Sequence, residues 1–466
     1  TELISVWCTQ CKYYMSYLLV LGGGESGVGA AILAQKVGLP CRVSDKGKLN
    51  PQYRKELEKR GIPYEEGKHS PDWLLGANEV IKSPGIPDSL PLIQDFIKRG
   101  ISVISEIEFA SRYLPEDTKV AAITGSNGKT TTVNWVTHIL KTAGYDAAMC
   151  GNVGFSMARL VAEDPHKYYV VEMSSFQLDG TYKFHPNVSV LLNITPDHLD
   201  RYEHKFELYA LSKMRITQQL GKGDSFIYWE EDAFIKKYLE QHSMECTLLP
   251  FSLQASGAKA LYESDKETLH IEAQHNLSAF SIPKRDLALV GKHNLLNAMA
   301  SALVAREFGV SNEYLGKALR DFKNVPHRIE YVAEIDGVRY INDSKATNIQ
   351  STFYALEAQT TPVVLILGGT DKGNDYSEIE DVVLSKCRAL IFMGIDNDKL
   401  HRAFDGKIAQ IRDARSMDEC LAHAQELAQS GDVVLLSPAC ASFDLFKNYE
   451  DRGEQFKNKV LAIKDR

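Results

Sequence analysis

The residues best suited to chemistry lie in one segment, where the apolar run 121–124 is followed by Gly125-Ser-Asn-Gly-Lys-Thr-Thr131. A glycine-rich turn at a helix N-terminus presents backbone N–H groups to phosphate oxygens. In this pattern Lys129 reaches the β- and γ-phosphates, and the Thr130 hydroxyl holds Mg²⁺. Ile123 occupies the position of the first glycine in the common G-x-x-x-x-G-K-T/S loop. The segment predicts a triphosphate site; the alternative is a strand, turn and helix that merely contain Gly and Lys.

Two more polar groups follow apolar runs that read as buried parallel strands, 168–173 and 188–194. Glu172 lies near the end of the first run, where a carboxylate can ligate the magnesium of a bound nucleotide. The alternative for Glu172 is a solvated strand end. At the tip of the second run, Asn193-Ile-Thr-Pro-Asp-His-Leu-Asp200 offers two carboxylates and the His198 imidazole. This cluster suits a second metal site or acid–base work, whereas a lone histidine often makes only a structural hydrogen bond.

The first segment carries another glycine-rich turn, in which Gly22, Gly24 and Gly27 follow the apolar run 17–21. A helix is expected over 28–37 and a second strand over 41–45, with an acid at its end where dinucleotide folds bind ribose. Taken alone, this pattern indicates NAD. A glycine-rich turn binds any pyrophosphate, however, so the site could instead hold a nucleotide that is part of the substrate.

The predicted elements place the chain in the α/β class, with three consecutive α/β domains over 1–114, 115–324 and 325–466. The first and third are expected to be Rossmann-like, and the second to resemble a P-loop ATPase. Short alternating runs over 223–283 predict a small antiparallel addition, and an amphipathic helix over 294–308 is expected to close the central domain. Strands are predicted in the third domain at 363–367, 389–393 and 433–436.

Composition excludes several classes of protein. The 466 residues carry a net charge of −8 with no basic stripe, which disfavours a nucleic-acid partner. No apolar run approaches the roughly 20 residues that span a bilayer, and no signal peptide is visible, so a cytoplasmic protein without membrane contact is expected. The eight cysteines are scattered and are expected to be reduced thiols. Cys8 and Cys11 have the spacing of a redox pair, with plain thiols as the alternative.

Several motifs together resemble the ATP-dependent Mur ligases of bacterial cell-wall synthesis. They are the segments 125–131, 170–178, 193–202 and 291–297, and the resemblance spans nearly the whole chain. The segments 172–177, 341–348, 368–373 and 437–444 most resemble the branch of that family that adds D-glutamate. The Asp-Asn-Pro-Arg motif of the branch that adds meso-diaminopimelate is absent from the third segment.

The resemblance implies an ADP-forming ligase of cytoplasmic peptidoglycan precursor synthesis, acting as a monomer. Its substrates would be UDP-N-acetylmuramoyl-L-alanine and D-glutamate, with ATP and two Mg²⁺ ions. The substrate carboxylate attacks the γ-phosphorus of ATP, and the D-glutamate amine then attacks the resulting acyl phosphate. Because two anions meet in the first step, positive charge is needed on the phosphates.

The resemblance also implies roles for individual residues. Thr130 and Glu172 would serve the first Mg²⁺, and His198 with a carbamylated Lys213 the second; without the resemblance, Lys213 reads as a helix-surface lysine. The catalytic set is Lys129, Glu172, His198, Lys213 and Lys345. The ATP-binding set is Gly125, Ser126, Asn127, Gly128, Lys129, Thr130, Thr131, Asn294, Asn297, Arg328 and Asp343. The substrate-binding set is Gly24, Glu25, Ser26, Ser44, Asp45, Asn152, His198, Thr347, Lys372, Ser442, Phe443 and Tyr449.

Some alternatives stay open. Asn294 and Asn297 could be helix caps or polar surface residues, and Lys372 a solvated loop lysine. Another ADP-forming amide ligase, either a sibling or a folylpolyglutamate synthase, would share the central motifs, although the folate enzyme lacks a dedicated uridine-nucleotide domain. A nucleotide-dependent switch or scaffold would need no amino acid for ATP hydrolysis. A dehydrogenase would leave the second nucleotide loop unexplained.

Overall fold

The computed structural model describes residues 17–254, 257–289, 291–323 and 326–464. Each of three consecutive regions contains its own β-sheet with flanking helices, which confirms three consecutive α/β domains. No helix in these ranges combines the length and apolar character needed to cross a membrane. The redox pair suggested for Cys8 and Cys11 lies outside the described residues, and the six cysteines within them are free thiols.

The first domain is a five-stranded parallel sheet in the order β3-β2-β1-β4-β5. Because β1 lies between β2 and β4, the glycine-rich turn after β1 lies where the strand order reverses, the usual ligand position in open α/β sheets. Its elements are β1 (Tyr17–Leu21), α1 (Glu25–Lys36), β2 (Cys41–Asp45), α2 (Pro51–Arg60), β3 (Tyr64–Glu66), α3 (Pro71–Leu75), β4 (Ala77–Lys82), α4 (Pro91–Lys98), β5 (Ser102–Ile104) and α5 (Glu106–Ser111).

The central domain is a nine-stranded sheet in the order β14-β13-β12-β11-β10-β9-β6-β8-β7. Its elements are β6 (Lys119–Thr124), α6 (Lys129–Thr142), β7 (Ala147–Gly151), α7 (Met157–Glu163), β8 (Tyr168–Glu172), α8 (Ser175–Asp179), β9 (Val188–Leu191), α9 (Phe206–Met214), β10 (Ser225–Trp229), α10 (Ala233–Gln241), β11 (Thr247–Ser252), β12 (Ala260–Glu263), β13 (Thr268–Ile271), β14 (Phe280–Pro283), α11 (Lys292–Glu307) and α12 (Asn312–Asp321). Short 3₁₀ helices occupy Leu199–Arg201, Arg215–Thr217 and Lys284–Asp286.

Two expectations for this domain were wrong in part. The region 223–283 is an extension of the main sheet, since β10, β11 and β12 pair in parallel and only β13 and β14 add antiparallel pairings. The helix α11 is buried from Asn294 to Arg306 on all its faces, and α12 follows it. It is therefore a core helix and does not close the domain. Its many alanines allow close packing between the sheet and α6.

The third domain is a six-stranded sheet in the order β15-β16-β20-β17-β18-β19, in which only β15 with β16 is antiparallel. Hydrophobic clusters cover both faces of this sheet. Its elements are β15 (Glu330–Ile335), β16 (Val338–Asn342), α13 (Ile349–Glu357), β17 (Val363–Leu367), α14 (Ser377–Lys386), β18 (Cys387–Met393), α15 (Asp398–Phe404), β19 (Ile411–Ala414), α16 (Met417–Leu427), β20 (Val433–Leu436) and α17 (Tyr449–Lys464).

The first and central domains share one hydrophobic core. A single cluster joins Val28 and Ile107 of the first domain to Met157 and Val171 of the central domain. Carboxylates of α5 strengthen the junction, since Glu108 accepts hydrogen bonds from three successive backbone N–H groups, 182–184. These contacts hold the two domains together, so that a ligand bound by both would meet a fixed geometry.

Candidate active site

Residues that follow β9 hold the glycine-rich loop between β6 and α6 in its conformation. Gly125 (φ +150°) and Gly128 (φ +87°) both have positive φ angles, which glycine adopts without strain. The Asn193 side chain accepts a hydrogen bond from the Asn127 N–H (2.9 Å) and donates to the Asn127 carbonyl (3.1 Å). The Ser126 hydroxyl donates to the Thr195 carbonyl (2.8 Å). These bonds fix the loop before any ligand arrives.

Two lysines converge on this loop. The Lys129 ammonium donates to the carbonyls of Gly125 (2.7 Å) and Ser126 (2.8 Å). Lys213, on α9, is only 2% exposed and donates to the same Gly125 carbonyl (2.9 Å). Burial lowers the pKa of Lys129, and burial together with the Lys129 charge lowers the pKa of Lys213 well below its usual range. The Lys213 amine is therefore much easier to deprotonate than an exposed lysine, and the surface alternative is wrong.

Glu172 lies buried at the end of β8, as the sequence predicted. Its Oε1 accepts a hydrogen bond from the Asn152 side chain (2.9 Å), while its Oε2 is buried and has no partner among the described residues. A buried anionic oxygen without a partner is costly, and a bound cation removes that cost. Thr130, in the first turn of α6, borders the same cleft. This donor set fits a magnesium ion.

His198 and Asp197 follow β9 together. Burial lowers the pKa of His198 to about 4, against the attraction of Asp197, so the imidazole is neutral at neutral pH. Burial opposes ionisation of Asp197, yet His198 and Lys372 bring its pKa below the usual value. Asp197 pairs with Lys372 (3.2 Å) and accepts from the Asn348 side chain (3.3 Å), both in the third domain. Asp200 is exposed and lies outside the polar cleft described next.

A cleft of about 550 Å³ between the central and third domains, called the polar cleft, collects most of the predicted catalytic residues. The central domain lines it with Ser126, Asn127, Gly128, Lys129, Thr130, Asn152, Val153, Gly154, Glu172, Asp197 and His198. The third domain lines it with Arg328, Lys345, Thr347, Asn348, Ser351, Tyr449 and Glu450. The two sides are joined by hydrogen bonds to Asn127 Oδ1 from the Ser351 hydroxyl (2.8 Å) and the Asn348 side chain (3.2 Å).

Lys345 projects into the polar cleft from the third domain. Its ammonium donates to the Tyr449 hydroxyl (3.2 Å) and lies 5.0 Å from that ring's centroid. Burial lowers the pKa of Lys345 to about 8, partly offset by the attraction of Glu172. Arg328 borders the same cleft and also the neighbouring cavity. The third domain thus adds positive charge opposite the loop of Lys129.

A second space, much narrower than the polar cleft and called the inner cavity, lies beyond Gly128. Its polar lining includes Thr131, Asn297, Arg328 and Asp343, and its aromatic lining is Trp229, His293 and Tyr354. A methyl group on Gly128 would lie only 2.4 Å from Asn297 Oδ1, so the loop touches this asparagine directly. A flat aromatic lining beside a phosphate-type loop suits a nucleotide base.

Comparison with known proteins agrees with this geometry. Residues 16–105 match the model of the Mur ligase MurD-like N-terminal domain, 123–305 the Mur ligase middle domain, and 327–440 the Mur ligase glutamate ligase domain. The chain is 56% identical to the UDP-N-acetylmuramoylalanine–D-glutamate ligase of Porphyromonas gingivalis, over 96% of this chain and 98% of that protein. It is 48% identical to the ligase of that name from Bacteroides fragilis, over 96% of this chain and 100% of that one. The chain belongs to the Mur ligase family.

Solved Mur ligase structures share the fold at low sequence identity. The UDP-N-acetylmuramate-alanine ligase of Thermotoga maritima superposes with a TM-score of 0.60 at 17% identity, covering 96% of this chain and 99% of that one. The MurF ligase of the same organism, solved in complex with ADP, gives 0.59 at 16% identity, covering 97% of this chain and 100% of that one. At these identities the likeness concerns the three-domain fold alone.

Six residues that the family resemblance placed around ATP, the metal ions or D-glutamate line neither space: Gly125, Lys213, Asn294, Lys372, Ser442 and Phe443. Asn294 is buried and accepts a hydrogen bond from the Asn297 side chain (3.3 Å), so it supports Asn297 from behind. Ser442 is buried, and Phe443 has 72% of its surface exposed. Lys372 borders an adjoining cavity and reaches the polar cleft through its pair with Asp197. This contact argues against the alternative that Lys372 is a solvated loop lysine.

The residues predicted to bind substrate in the first domain make mostly local contacts. The Asp45 carboxylate accepts from the N–H groups of Gly23 (2.6 Å) and Gly47 (2.7 Å). Ser44 is buried and donates to Glu65 Oε1 (2.6 Å). Gly24 is exposed and is the N-cap residue of α1, and Ser26 is half-buried in the first turn of that helix. The turn is thus shaped by its own domain.

Glu25 has a different environment. Both its oxygens are bound by the central domain: Oε1 accepts from the Ser156 N–H (3.0 Å) and Arg159 Nε (2.8 Å), and Oε2 from Arg159 Nη2 (3.1 Å). The acid beside the glycine-rich turn therefore joins two domains in this structure.

Sequence reasoning assigned no role to Asn348, Ser351, Trp229, His293 or Tyr354, all of which line the two spaces. Asn348 carried a usable signal, because an asparagine before an apolar helix is a typical N-cap, and its side chain accepts from the Ser351 N–H (2.9 Å). The aromatic residues carried none, since an aromatic residue at a strand end or on a helix is usually part of a core.

Proposed function

We propose that the chain is an ATP-dependent ligase that joins D-glutamate to UDP-N-acetylmuramoyl-L-alanine in peptidoglycan precursor synthesis. Identity of 56% to a ligase of that name, over nearly the full length of both chains, is the main support. Further support comes from the polar cleft, where Lys129, Glu172 and His198 of the central domain face Lys345 of the third. We place the domain boundaries at 114/115 and 324/325.

ATP would lie across both spaces, its base in the inner cavity and its phosphates in the polar cleft. Residues 125–131 supply N–H groups and hydroxyls for the phosphates, and Lys129 would leave its two carbonyl partners to reach them. Asn297 would face adenine, supported by Asn294, with Asp343 near the ribose. Arg328 borders both spaces and would contact the phosphates between them.

Two Mg²⁺ ions are assigned to this site, the first at Thr130 and Glu172 and the second at His198 and Lys213. Bound Mg²⁺ would offset the phosphate charge and help orient the γ-phosphate. The unpaired Glu172 oxygen supports the first position, and the neutral His198 imidazole the second. Among the described residues, no cluster of three or more His, Cys, Asp or Glu side chains could hold a metal ion by itself.

Lys213 can serve a cation only in a modified form. A neutral lysine amine can add to CO₂ and release a proton, giving a carbamate with anionic oxygens. The buried position of Lys213 beside Lys129 favours the neutral amine that this addition requires. We infer that Lys213 is carbamylated in the active protein.

In the first reaction step, the carboxylate of the UDP-substrate attacks the γ-phosphorus of ATP, ADP leaves, and an acyl phosphate forms. Lys129 and Lys345, from opposite walls of the polar cleft, would offset the negative charge that accumulates when two anions meet. Asn152 is assigned to the muramoyl part of this substrate. The Asn152 bond to Glu172 keeps its side chain oriented toward the cleft.

In the second step, the amine of D-glutamate attacks the acyl carbonyl and phosphate leaves. Thr347, Lys372, Ser442, the backbone at Phe443, and Tyr449 are assigned to D-glutamate. Lys372 already holds the Asp197 carboxylate in the structure, and a substrate carboxylate would compete for the same ammonium. Lys345 would also steady the tetrahedral intermediate.

The uridine nucleotide is assigned to the first domain, at Gly24, Glu25, Ser26, Ser44 and Asp45. The exposed start of α1 can receive a pyrophosphate. The Glu25 carboxylate already accepts three hydrogen bonds from the central domain, so a substrate donor would have to share an oxygen with them. We further propose that the protein acts in the cytoplasm as a monomer, with no nucleic-acid or membrane partner.

The deciding experiment measures phosphate release from the purified protein with ATP, Mg²⁺ and UDP-N-acetylmuramoyl-L-alanine. D-glutamate is compared with L-glutamate, L-alanine, L-lysine and meso-diaminopimelate. Release that depends on D-glutamate supports the proposal. Release with another amino acid would assign the protein to a sibling branch, and release indifferent to every amino acid would favour a nucleotide switch.

A further inference from the structure

Arg201 occupies the junction between the first domain and the catalytic side of the central domain. It ends the 3₁₀ helix that follows His198. Its Nη1 and Nη2 groups reach across the domain boundary to the backbone carbonyls of Gly85 (3.4 Å) and Pro84 (3.5 Å). Among the described residues, the other hydrogen bonds between these domains involve α1, α2 and the segment around α5 of the first domain, where Glu25, Glu56 and Glu108 are acceptors. Arg201 instead contacts the loop after β4, at the carboxyl edge of the first sheet.

The same guanidinium lies over an aromatic ring that touches His198. The Arg201 guanidinium carbon is 4.3 Å from the centroid of the Phe176 ring, a cation–π distance. Phe176 meets the His198 ring edge to face, with 5.2 Å between centroids, and stacks on Tyr202. Tyr202 is anchored in turn by its hydroxyl, which donates to Asp179 (2.8 Å). Arg201 and His198 therefore pack against one aromatic platform.

The loop that Arg201 contacts packs against the glycine-rich turn of the first domain. The Ser83 N–H donates to the Leu21 carbonyl (2.9 Å), and a methyl group on Gly22 would lie 2.4 Å from the Ser83 hydroxyl. From the first domain's own side, the Lys82 ammonium donates to the Ile86 carbonyl (2.7 Å). A displacement of loop 83–86 would therefore disturb the turn at Gly22.

We propose that Arg201 is a positioning residue that fixes loop 83–86 of the first domain relative to His198. The inference rests on the proposed function, in which the glycine-rich turn holds the uridine nucleotide while the polar cleft receives the carboxylate of the same molecule. A substrate anchored at both places reacts efficiently only when the spacing between them is correct. A misplacement of about 1 Å can reduce the rate by roughly 100-fold.

Arg99 provides a matched control. Its guanidinium lies 5.5 Å from the Phe96 ring centroid, and its Nη1 and Nη2 groups reach the carbonyls of Leu74 (3.4 Å) and Leu75 (3.3 Å). The distances to the carbonyls match those of Arg201, although the ring is farther away and Arg99 also pairs with Asp95 (3.5 Å). All of its partners lie within the first domain. Replacement of Arg99 by methionine removes the same kinds of contact without affecting a domain junction.

The experiment compares the Arg201→Met, Arg201→Lys and Arg99→Met variants with the wild-type protein. Calorimetry gives the Kd for UDP-N-acetylmuramoyl-L-alanine without ATP or Mg²⁺, and kinetics with each substrate varied gives kcat and the KM values. For Arg201→Met we expect a weaker Kd and a kcat reduced at least about tenfold, with the KM for ATP unchanged. Arg201→Lys should be intermediate, since it keeps the charge but loses the two-pronged donor. Arg99→Met should stay within about twofold of wild type.

The role of Arg201 is overturned if Arg201→Met has the Kd and kcat of the wild type, or if Arg99→Met shows an equal loss. A rise in the KM for ATP as large as that for the UDP-substrate also overturns it, because general loosening of the protein would have this effect. The calorimetric comparison does not require turnover. A wild-type protein that binds the UDP-substrate without ligating D-glutamate would contradict the proposed function alone, and one that does not bind it would overturn both.

Discussion

Replacement of Gly128 by alanine tests the contact between the phosphate loop and the inner cavity. Gly128 has a φ of +87°, and an added methyl group would lie 2.4 Å from Asn297 Oδ1. An ordinary contact is about 1 Å longer, so the Asn297 side chain must move. That movement would break its hydrogen bond to Asn294 and withdraw its amide from the cavity.

The size of the effect follows from these contacts. An alanine in the left-handed region costs about 1–2 kcal/mol. The lost Asn297–Asn294 hydrogen bond adds about 1 kcal/mol to the loss of unfolding free energy. If Asn297 faces adenine, a further contact worth about 1–1.5 kcal/mol is lost from nucleotide binding, which corresponds to roughly a tenfold rise in the KM for ATP. The KM for the UDP-substrate should not change.

Gly144→Ala is the matched control. Gly144 follows the same helix α6, has a φ of +81°, and would have no atom within 4 Å of the added methyl group. It therefore carries the backbone cost without the clash. Urea unfolding of both variants should show an additional loss of about 1 kcal/mol in Gly128→Ala, and kinetics with ATP varied should show the KM change in that variant alone. Equal unfolding losses with an unchanged KM for ATP would refute the assigned position of Asn297.

Three lysines give further predictions. Lys129→Ala should abolish phosphate release, because a contact of this type stabilises the transition state by roughly 3 kcal/mol or more; activity within a few-fold of wild type would contradict the assignment. Lys213→Ala should be inactive and regain part of its activity in formate or acetate, whose oxygens can replace those of the carbamate, whereas full activity without these anions would exclude the modification. Lys345, with its pKa lowered to about 8 by burial, loses its charge as pH rises through that value, so kcat/KM should fall there. Lys345→Arg keeps its charge and should move this fall to higher pH; an unmoved profile would assign the fall to another group.

Much of the fold could be predicted from the sequence because the apolar pattern that forms each strand is a local property of the chain. The predicted strands at 17–21, 363–367 and 433–436 have those same bounds in the structure. Parallel strands buried on both faces are nearly continuous apolar runs, which makes them easy to recognise. The extension over 223–283 was misjudged because alternation reports a half-exposed strand without reporting the direction of its neighbour. The core helix α11 was misjudged because an alanine-rich segment reads the same whether one face or every face is covered.

The candidate site divides in the same way. Residues 125–131, Glu172 and His198 could be found because each follows a strand, and the carboxyl ends of parallel strands meet at one edge of a sheet. The buried state of Lys213 could not, since a lysine on a helix looks the same in either environment. The contact of Asn294 with Asn297 and the exposure of Phe443 likewise could not be predicted from the sequence.

The sequence by itself determined the phosphate loop, the positions of Glu172 and His198 at the ends of two strands, and the order of the three α/β domains. Only the tertiary structure decided how the domains meet. The bond of Ser351 to Asn127 spans 224 residues and the pair of Lys372 with Asp197 spans 175, while Glu25 faces Arg159 rather than open solvent. Residue periodicity records which face of an element is buried, but not which distant side chain lies opposite. That choice depends on the docking of complete domains, which brings both walls of the polar cleft together.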